Sequence, residues 1–141
     1  MSLGLYLHIP YCFSKCRYCD FYSHPGERGV PEAYVDALLR ELSRFAPERP
    51  LQPDTLYFGG GTPSLLRPEQ AKRLIDAARP MPEAEITLEA NPETVTEESL
   101  AGFREAGVNR ISFGVQSARD TQLRTLGRPH TAKQARAAFA A

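Results

Sequence analysis

The chain has 141 residues, 42% of them hydrophobic and 24% charged, enough for one ordinary domain. Lysine plus arginine equals aspartate plus glutamate at 17 each, so composition makes no electrostatic case for nucleic acid or an acidic membrane surface as partner. No apolar run approaches the roughly 20 residues of a membrane span, no secretory leader pattern opens the chain, and three clustered cysteines argue against a disulfide framework and for a reducing compartment, by default the cytoplasm.

Leu3 to Ile9 is an apolar run that reads as a buried strand. The loop after it carries Cys12, Cys16 and Cys19 in the spacing C-x3-C-x2-C, and Ser23 to Gly29 has turn chemistry. Pro31 suits the first turn of a helix, along which Tyr34, Val35, Leu38, Leu39, Leu42 and Phe45 recur at helical spacing; Pro47 and Pro50 would end it. Thr55 to Phe58, between Pro53 and three glycines, predicts a second strand. Pro68 opens a second helix with Ala71, Leu74, Ile75 and Ala78 on one face, and Glu85 to Ala90 is a third strand. Thr96 is a fitting N-cap, Glu97 and Glu98 suit the first turn, Gly107 suits the end, and Leu100 and Phe103 face inward. Val108 to Val115 is a fourth strand, followed by a short helix over Arg119 to Leu126 and another from Thr131.

Four strand–helix units in succession predict an α/β fold with a parallel sheet and right-handed crossovers. The distinctive residues fall where each strand ends: the cysteine loop, Gly59 to Thr62, Glu89 to Pro92, and Gln116. In a parallel barrel that is the active face. Three thiolates on one loop can hold one metal centre. Cysteine thiolates are the normal ligands of a cubic iron–sulfur cluster, and three of them leave one iron open for an outside ligand. The competing readings are three free thiols, or a zinc ion completed by His8 or His24.

The cysteine spacing and its aromatic tail resemble the signature of the radical S-adenosylmethionine (SAM) superfamily. Tyr6-x-His8-Ile-Pro10-x-Cys12, Gly59-Gly-Gly-Thr-Pro63, Glu89-Ala-Asn-Pro92, Asn109-Arg-Ile-Ser-Phe-Gly-Val-Gln116 and Leu126-Gly-Arg-x-His130 resemble, in order, the oxygen-independent coproporphyrinogen III oxidase family. The true oxidases carry a further cysteine two residues after the third. Here Phe21 stands at that position, which resembles the heme-chaperone (HemW) branch.

The resemblance implies a partial TIM-type barrel, with about four of its six strand–helix units in residues 1–141. A full eight-unit barrel takes roughly 250 residues. The chain also stops inside an Ala-rich segment, Ala132 to Ala141, so the expectation is a truncated radical SAM core without the last barrel units or the family's C-terminal domain. By resemblance, Cys12, Cys16 and Cys19 ligate a [4Fe–4S] cluster whose open iron is chelated by SAM. Tyr6, Gly60, Gly61, Thr62, Glu89, Gln116 and Arg128 would contact SAM, and Tyr18 would pack near its adenine. Electron transfer to SAM would give methionine and a 5′-deoxyadenosyl radical. In this branch heme and acceptor hemoproteins are the implied partners, with an electron donor that the sequence does not identify. The alternatives are a porphyrinogen oxidase and a non-catalytic truncated product. Each residue also has an ordinary reading: Glu89 as the ion-pair partner of Arg110, Gln116 as a strand-end amide, Arg128 as a solvated loop cation, Tyr6 and His8 as core, and His24 and His130 as loop residues.

Overall fold

A computed structural model describes residues 2–26, 29–45 and 51–141. Pro47 and Pro50, expected to end the first helix, lie outside the described residues, as do Glu27 and Arg28 of the expected turn.

Strand β1 (Gly4–Ile9) leads into two short strands, β2 (Tyr11–Cys12) and β3 (His24–Pro25), which flank the cysteine loop. Then come α1 (Glu32–Phe45), β4 (Thr55–Gly60), α2 (Pro68–Ala78), β5 (Glu85–Ala90), α3 (Glu97–Ala106), β6 (Arg110–Phe113), α4 (Asp120–Leu126) and α5 (Ala132–Ala140). Single 3-10 turns over Pro63–Leu65 and Pro92–Thr94 follow β4 and β5. The expected strand–helix order holds. The fourth strand is shorter than Val108 to Val115, because Val108 already packs in the core and Gln116 adopts a positive φ of 67° that ends extended structure.

The four long strands form one parallel sheet in the order β1-β4-β5-β6. This sequential order is that of a singly wound, barrel-type sheet, not a doubly wound one, in which strand order reverses. Strand alternation divides its residues. Leu7, Ile9, Leu56, Phe58, Ile86 and Leu88 join Val35 and Leu42 of α1, Leu74 and Ile75 of α2, and Phe103 of α3 in one core. Tyr6, His8, Tyr57 and Glu89 lie on the opposite face of the sheet, only partly covered. β1 is therefore half-buried, although its sequence is nearly all apolar. Phe45 is a second correction: it keeps the helical spacing of the α1 stripe but sits at the last position of the helix and is 71% exposed.

Local chemistry sets the helix ends, at Thr96 and Gly107 as expected. Thr96 and Thr131 each accept a hydrogen bond from a backbone amide three residues on, closing capping boxes with Ser99 and Gln134. Gly107 and Gly127 take the left-handed conformation that terminates α3 and α4.

Candidate functional site: a cysteine loop over the strand ends

The loop from Tyr11 to Pro25 is pinched at its base. β2 and β3 pair there in parallel, His24 N–H donates to Pro10 C=O at 2.7 Å, and Gly26 N–H donates to Cys12 C=O at 2.8 Å. Fifteen residues of loop thus leave and return at one point on the sheet edge, with Cys19 N–H closing an internal turn on Cys16 C=O. Arg17 N–H bonds Leu126 C=O at 3.2 Å, tying the loop to the end of α4. All three cysteines are free and partly buried.

Beneath the loop is a cavity of about 320 Å³. Cys12, Cys16, Cys19, Gly60, Gly61, Thr62, Glu89, Gln116 and Arg128 all line it, with Tyr18, Phe21 and Asn91. Nine of the ten expected site residues therefore meet in one place, drawn from the ends of β1, β4, β5 and β6 and from the α4–α5 loop. Tyr6 does not line this cavity. It sits farther back on β1, 54% exposed, 3.2 Å from His8 Nδ1 through its hydroxyl and stacked on Tyr57.

The glycine run that ends β4 has reasons within the protein. Gly60 has a φ of 119°, where a side chain is strained, and a Cβ on Gly61 would sit 2.6 Å from Tyr11 O and 2.9 Å from Cys12 Sγ. The run lets β4 press directly under the cysteine loop. Glu89 is half-buried and accepts from Tyr57 Oη at 2.7 Å and from Gly60 N–H at 3.3 Å. Arg110 does not pair with it. The parallel register sets Arg110 opposite Thr87 and Ser112 opposite Glu89, so Arg110 meets Glu85 instead, at 3.4 Å.

Arg128 is 8% exposed, not a solvated cation. Its two terminal nitrogens donate to Cys16 Sγ at 3.2 Å, to Asn91 Oδ1 at 2.8 Å and to Gly114 C=O. Its Nε is buried with no protein partner among the described residues. His130 is no ordinary loop residue. It is 2% exposed, between Glu93 Oε2 at 3.1 Å and Val115 C=O at 3.0 Å, and so pins the Arg128 loop to β5 and β6. Asn91 bridges Thr62 and Arg128. Asn91 is not among the site residues expected from the sequence; His130 lies in the α4–α5 loop as expected, but buried, and both fall inside the motifs that carry the resemblance.

Among the described residues, no three His, Cys, Asp or Glu side chains surround a single point, as one tetrahedral zinc ion requires. A cubic cluster asks something different, one thiolate for each of three irons. Three reachable thiols around a cavity rim, with an arginine donating to one of them, fit that demand.

A singly wound parallel sheet with a three-cysteine loop over its strand ends defines the class, and the comparisons agree. The sequence profile of the radical SAM superfamily matches residues 6–141, and the chain belongs to that superfamily. It is similar to the heme chaperone HemW of Escherichia coli, at 45% identity over 144 residues, covering 96% of this chain and 38% of that protein. It is 42% identical to the bovine mitochondrial radical S-adenosyl methionine domain-containing protein 1, over 94% of this chain and 31% of that one. Among solved structures, E. coli coproporphyrinogen III oxidase HemN, a radical SAM enzyme, superimposes with a TM-score of 0.84 at 30% identity, over 98% of this chain and 33% of that one. The chain thus spans 31–38% of the length of these relatives. No helix among the described residues is long and apolar enough to cross a membrane.

Proposed function

We propose that residues 1–141 are a radical SAM core in which Cys12, Cys16 and Cys19 hold a [4Fe–4S] cluster, and that the protein serves heme trafficking as the HemW relatives are named to do. The observation that carries this reading is the meeting of the three cysteines with Thr62, Glu89, Gln116 and Arg128 around one cavity. When bound, the cluster supplies the electron that cleaves SAM reductively. The protein's own residues position and charge the site. The oriented Glu89 carboxylate offers an acceptor to a cationic amine, and the Arg128 guanidinium in the cavity wall offers its positive charge to a carboxylate, the two ends of an amino acid. Gly60, Gly61 and Thr62 supply a backbone surface beside the thiols, and Tyr18 and Phe21 supply apolar cover on the loop side. Tyr6 would act from farther along β1. Heme and acceptor hemoproteins are the proposed partners, and the cytoplasm, where free thiols persist, is the proposed compartment.

The alternative is an oxygen-independent porphyrinogen oxidase, which the superposition on HemN favours. Phe21, where those oxidases carry cysteine, favours the chaperone, as do the HemW relatives.

Anaerobic reconstitution with iron and sulfide, followed by electron paramagnetic resonance of the reduced protein with and without SAM, tests the core assignment. The expected result is a cluster signal that changes when SAM is added, and its loss in Cys16→Ala, which has no spare cysteine to take the vacated iron. Full iron and sulfide content in Cys16→Ala would refute it. Heme titration and product analysis for the decarboxylated porphyrinogen then separate the chaperone from the oxidase.

A further inference from the structure

Cys12 and Cys16 are joined by an unbroken chain of hydrogen bonds through three side chains from three separate strand–helix units. Thr62 Oγ1 lies 3.7 Å from Cys12 Sγ, within range for a sulfur acceptor. Asn91 Nδ2 lies 3.1 Å from Thr62 Oγ1, Asn91 Oδ1 lies 2.8 Å from an Arg128 terminal nitrogen, and the other Arg128 terminal nitrogen lies 3.2 Å from Cys16 Sγ. Thr62 is 3% exposed and Arg128 8%.

The direction of every bond follows from one fact: arginine has donors and no acceptor. Arg128 must therefore face the oxygen of the Asn91 amide, which turns the amide nitrogen toward Thr62. That nitrogen donates, so Thr62 Oγ1 accepts from Asn91 and has its single hydrogen free. The remaining partner is Cys12 Sγ, and the hydroxyl donates there. Asn91 is thus the hub that aims one donor at each of two thiolates.

We infer that Thr62 and Arg128, oriented together by Asn91, donate hydrogen bonds to two cluster-ligating thiolates and raise the reduction potential of the cluster. Hydrogen bonds to the sulfurs are among the features that set such potentials. A donor favours the reduced cluster because reduction adds negative charge, part of which resides on sulfur. Asn91 is then a positioning residue, acting on the cluster only through Thr62 and Arg128. All this holds only if Cys12, Cys16 and Cys19 carry the cluster, as proposed above.

The test is a redox titration, without SAM, of the reconstituted full protein, followed by electron paramagnetic resonance, for wild type, Thr62→Val, Thr62→Ser and Asn91→Asp. Leaving SAM out removes any contribution from Thr62 as a SAM contact. At the wild-type midpoint potential, the reduced-to-oxidised ratio of Thr62→Val is expected to fall about tenfold, which is 59 mV for one electron. Thr62→Ser keeps the hydroxyl and is expected to stay near wild type. Asn91→Asp turns an acceptor toward Thr62, draws its hydrogen away from Cys12 and adds a negative charge beside the cluster, so it is expected to fall further than Thr62→Val. A Thr62→Val cluster that assembles fully and titrates with the wild type overturns the inference, as does a Thr62→Ser cluster that falls equally far. If Thr62→Val does not load, an Asn91→Asp cluster that titrates with the wild type overturns the inference. Failure of both to load beside a loaded wild type also overturns it, because the bonds would then serve assembly instead of potential. A wild type that takes up no cluster refutes the site assignment itself.

Discussion

The guanidinium of Arg128 lies 3.2 Å from the sulfur of Cys16, although 112 positions separate them in the chain. The same side chain reaches Asn91 and Gly114. It fastens the loop after α4 to the ends of β5 and β6 and to the cysteine loop at once. Lysine has a single terminal nitrogen on a flexible stem and cannot reproduce that planar fork. Arg128→Lys is expected to destabilise the fold by roughly 1.5–3 kcal/mol, the range for a hydrogen bond involving a charged group. The check is the denaturant midpoint of the variant against wild type, and an unchanged midpoint would show that the fork contributes nothing to stability.

Glu89 is held by donors on two sides, the Tyr57 hydroxyl and the Gly60 amide. Glu89→Gln keeps the shape and removes the charge. If the carboxylate receives SAM, affinity is expected to fall by roughly 1.5–3 kcal/mol, while iron and sulfide content stay at the wild-type level. Isothermal titration of SAM into the reconstituted variant reads this directly. Unchanged affinity would leave Glu89 as a purely structural partner of Tyr57 and Gly60.

Tyr57 gives a pH-dependent signature of the same contact. Its hydrogen bond to Glu89, followed by burial and the nearby Glu89 charge, holds the phenol above its ordinary value of 10.0. The folded state therefore binds that proton more tightly than the unfolded state. The resulting stabilisation is complete below the unfolded value and is lost as pH rises through the folded one. Tyr57→Phe is expected to be less stable than wild type by about 1 kcal/mol near neutral pH, with the difference closing as pH passes above the ordinary tyrosine value. Urea melts at stepped alkaline pH measure it, and a difference that stays constant across that range would contradict the contact.

How far the sequence led depends on how local each signal was. Thr96 and Gly107 announced their roles because capping is decided within a few residues. The strand ends and the cysteine loop were legible because their spacing is contiguous. Arg110 was weighed as a partner for Glu89, yet the register that separates them is a relation between two strands, invisible in either. Asn91 and His130 take their places only through neighbours 29 to 37 positions away, or through Val115 on the far side of α4. Phe45 obeyed the helical period, but at the last position of α1 the periodicity outruns the core.

The edge of the sheet carries a last prediction. Among the described residues β6 pairs only with β5, so its other side offers unpaired backbone groups. Beside that edge is a hollow of about 320 Å³ lined by Leu100, Val108, Ile111, Phe113 and Phe139, with Phe139 84% exposed. An open strand edge next to apolar surface is a template for pairing with another chain. Fully covering a large apolar side chain stabilises by about 1.5–3 kcal/mol, so leaving Ile111, Phe113 and Phe139 partly or wholly open forfeits a sizeable share of a typical 5–15 kcal/mol stability. The 141-residue polypeptide expressed alone is therefore expected to self-associate at micromolar concentration, and Phe139→Lys, which places a charge in the hollow, is expected to weaken that association at least several-fold. Sedimentation velocity over a concentration series measures both. A wild-type polypeptide that stays monomeric throughout, or a Phe139→Lys variant that associates just as strongly, would show that this edge is not where the chain seeks cover.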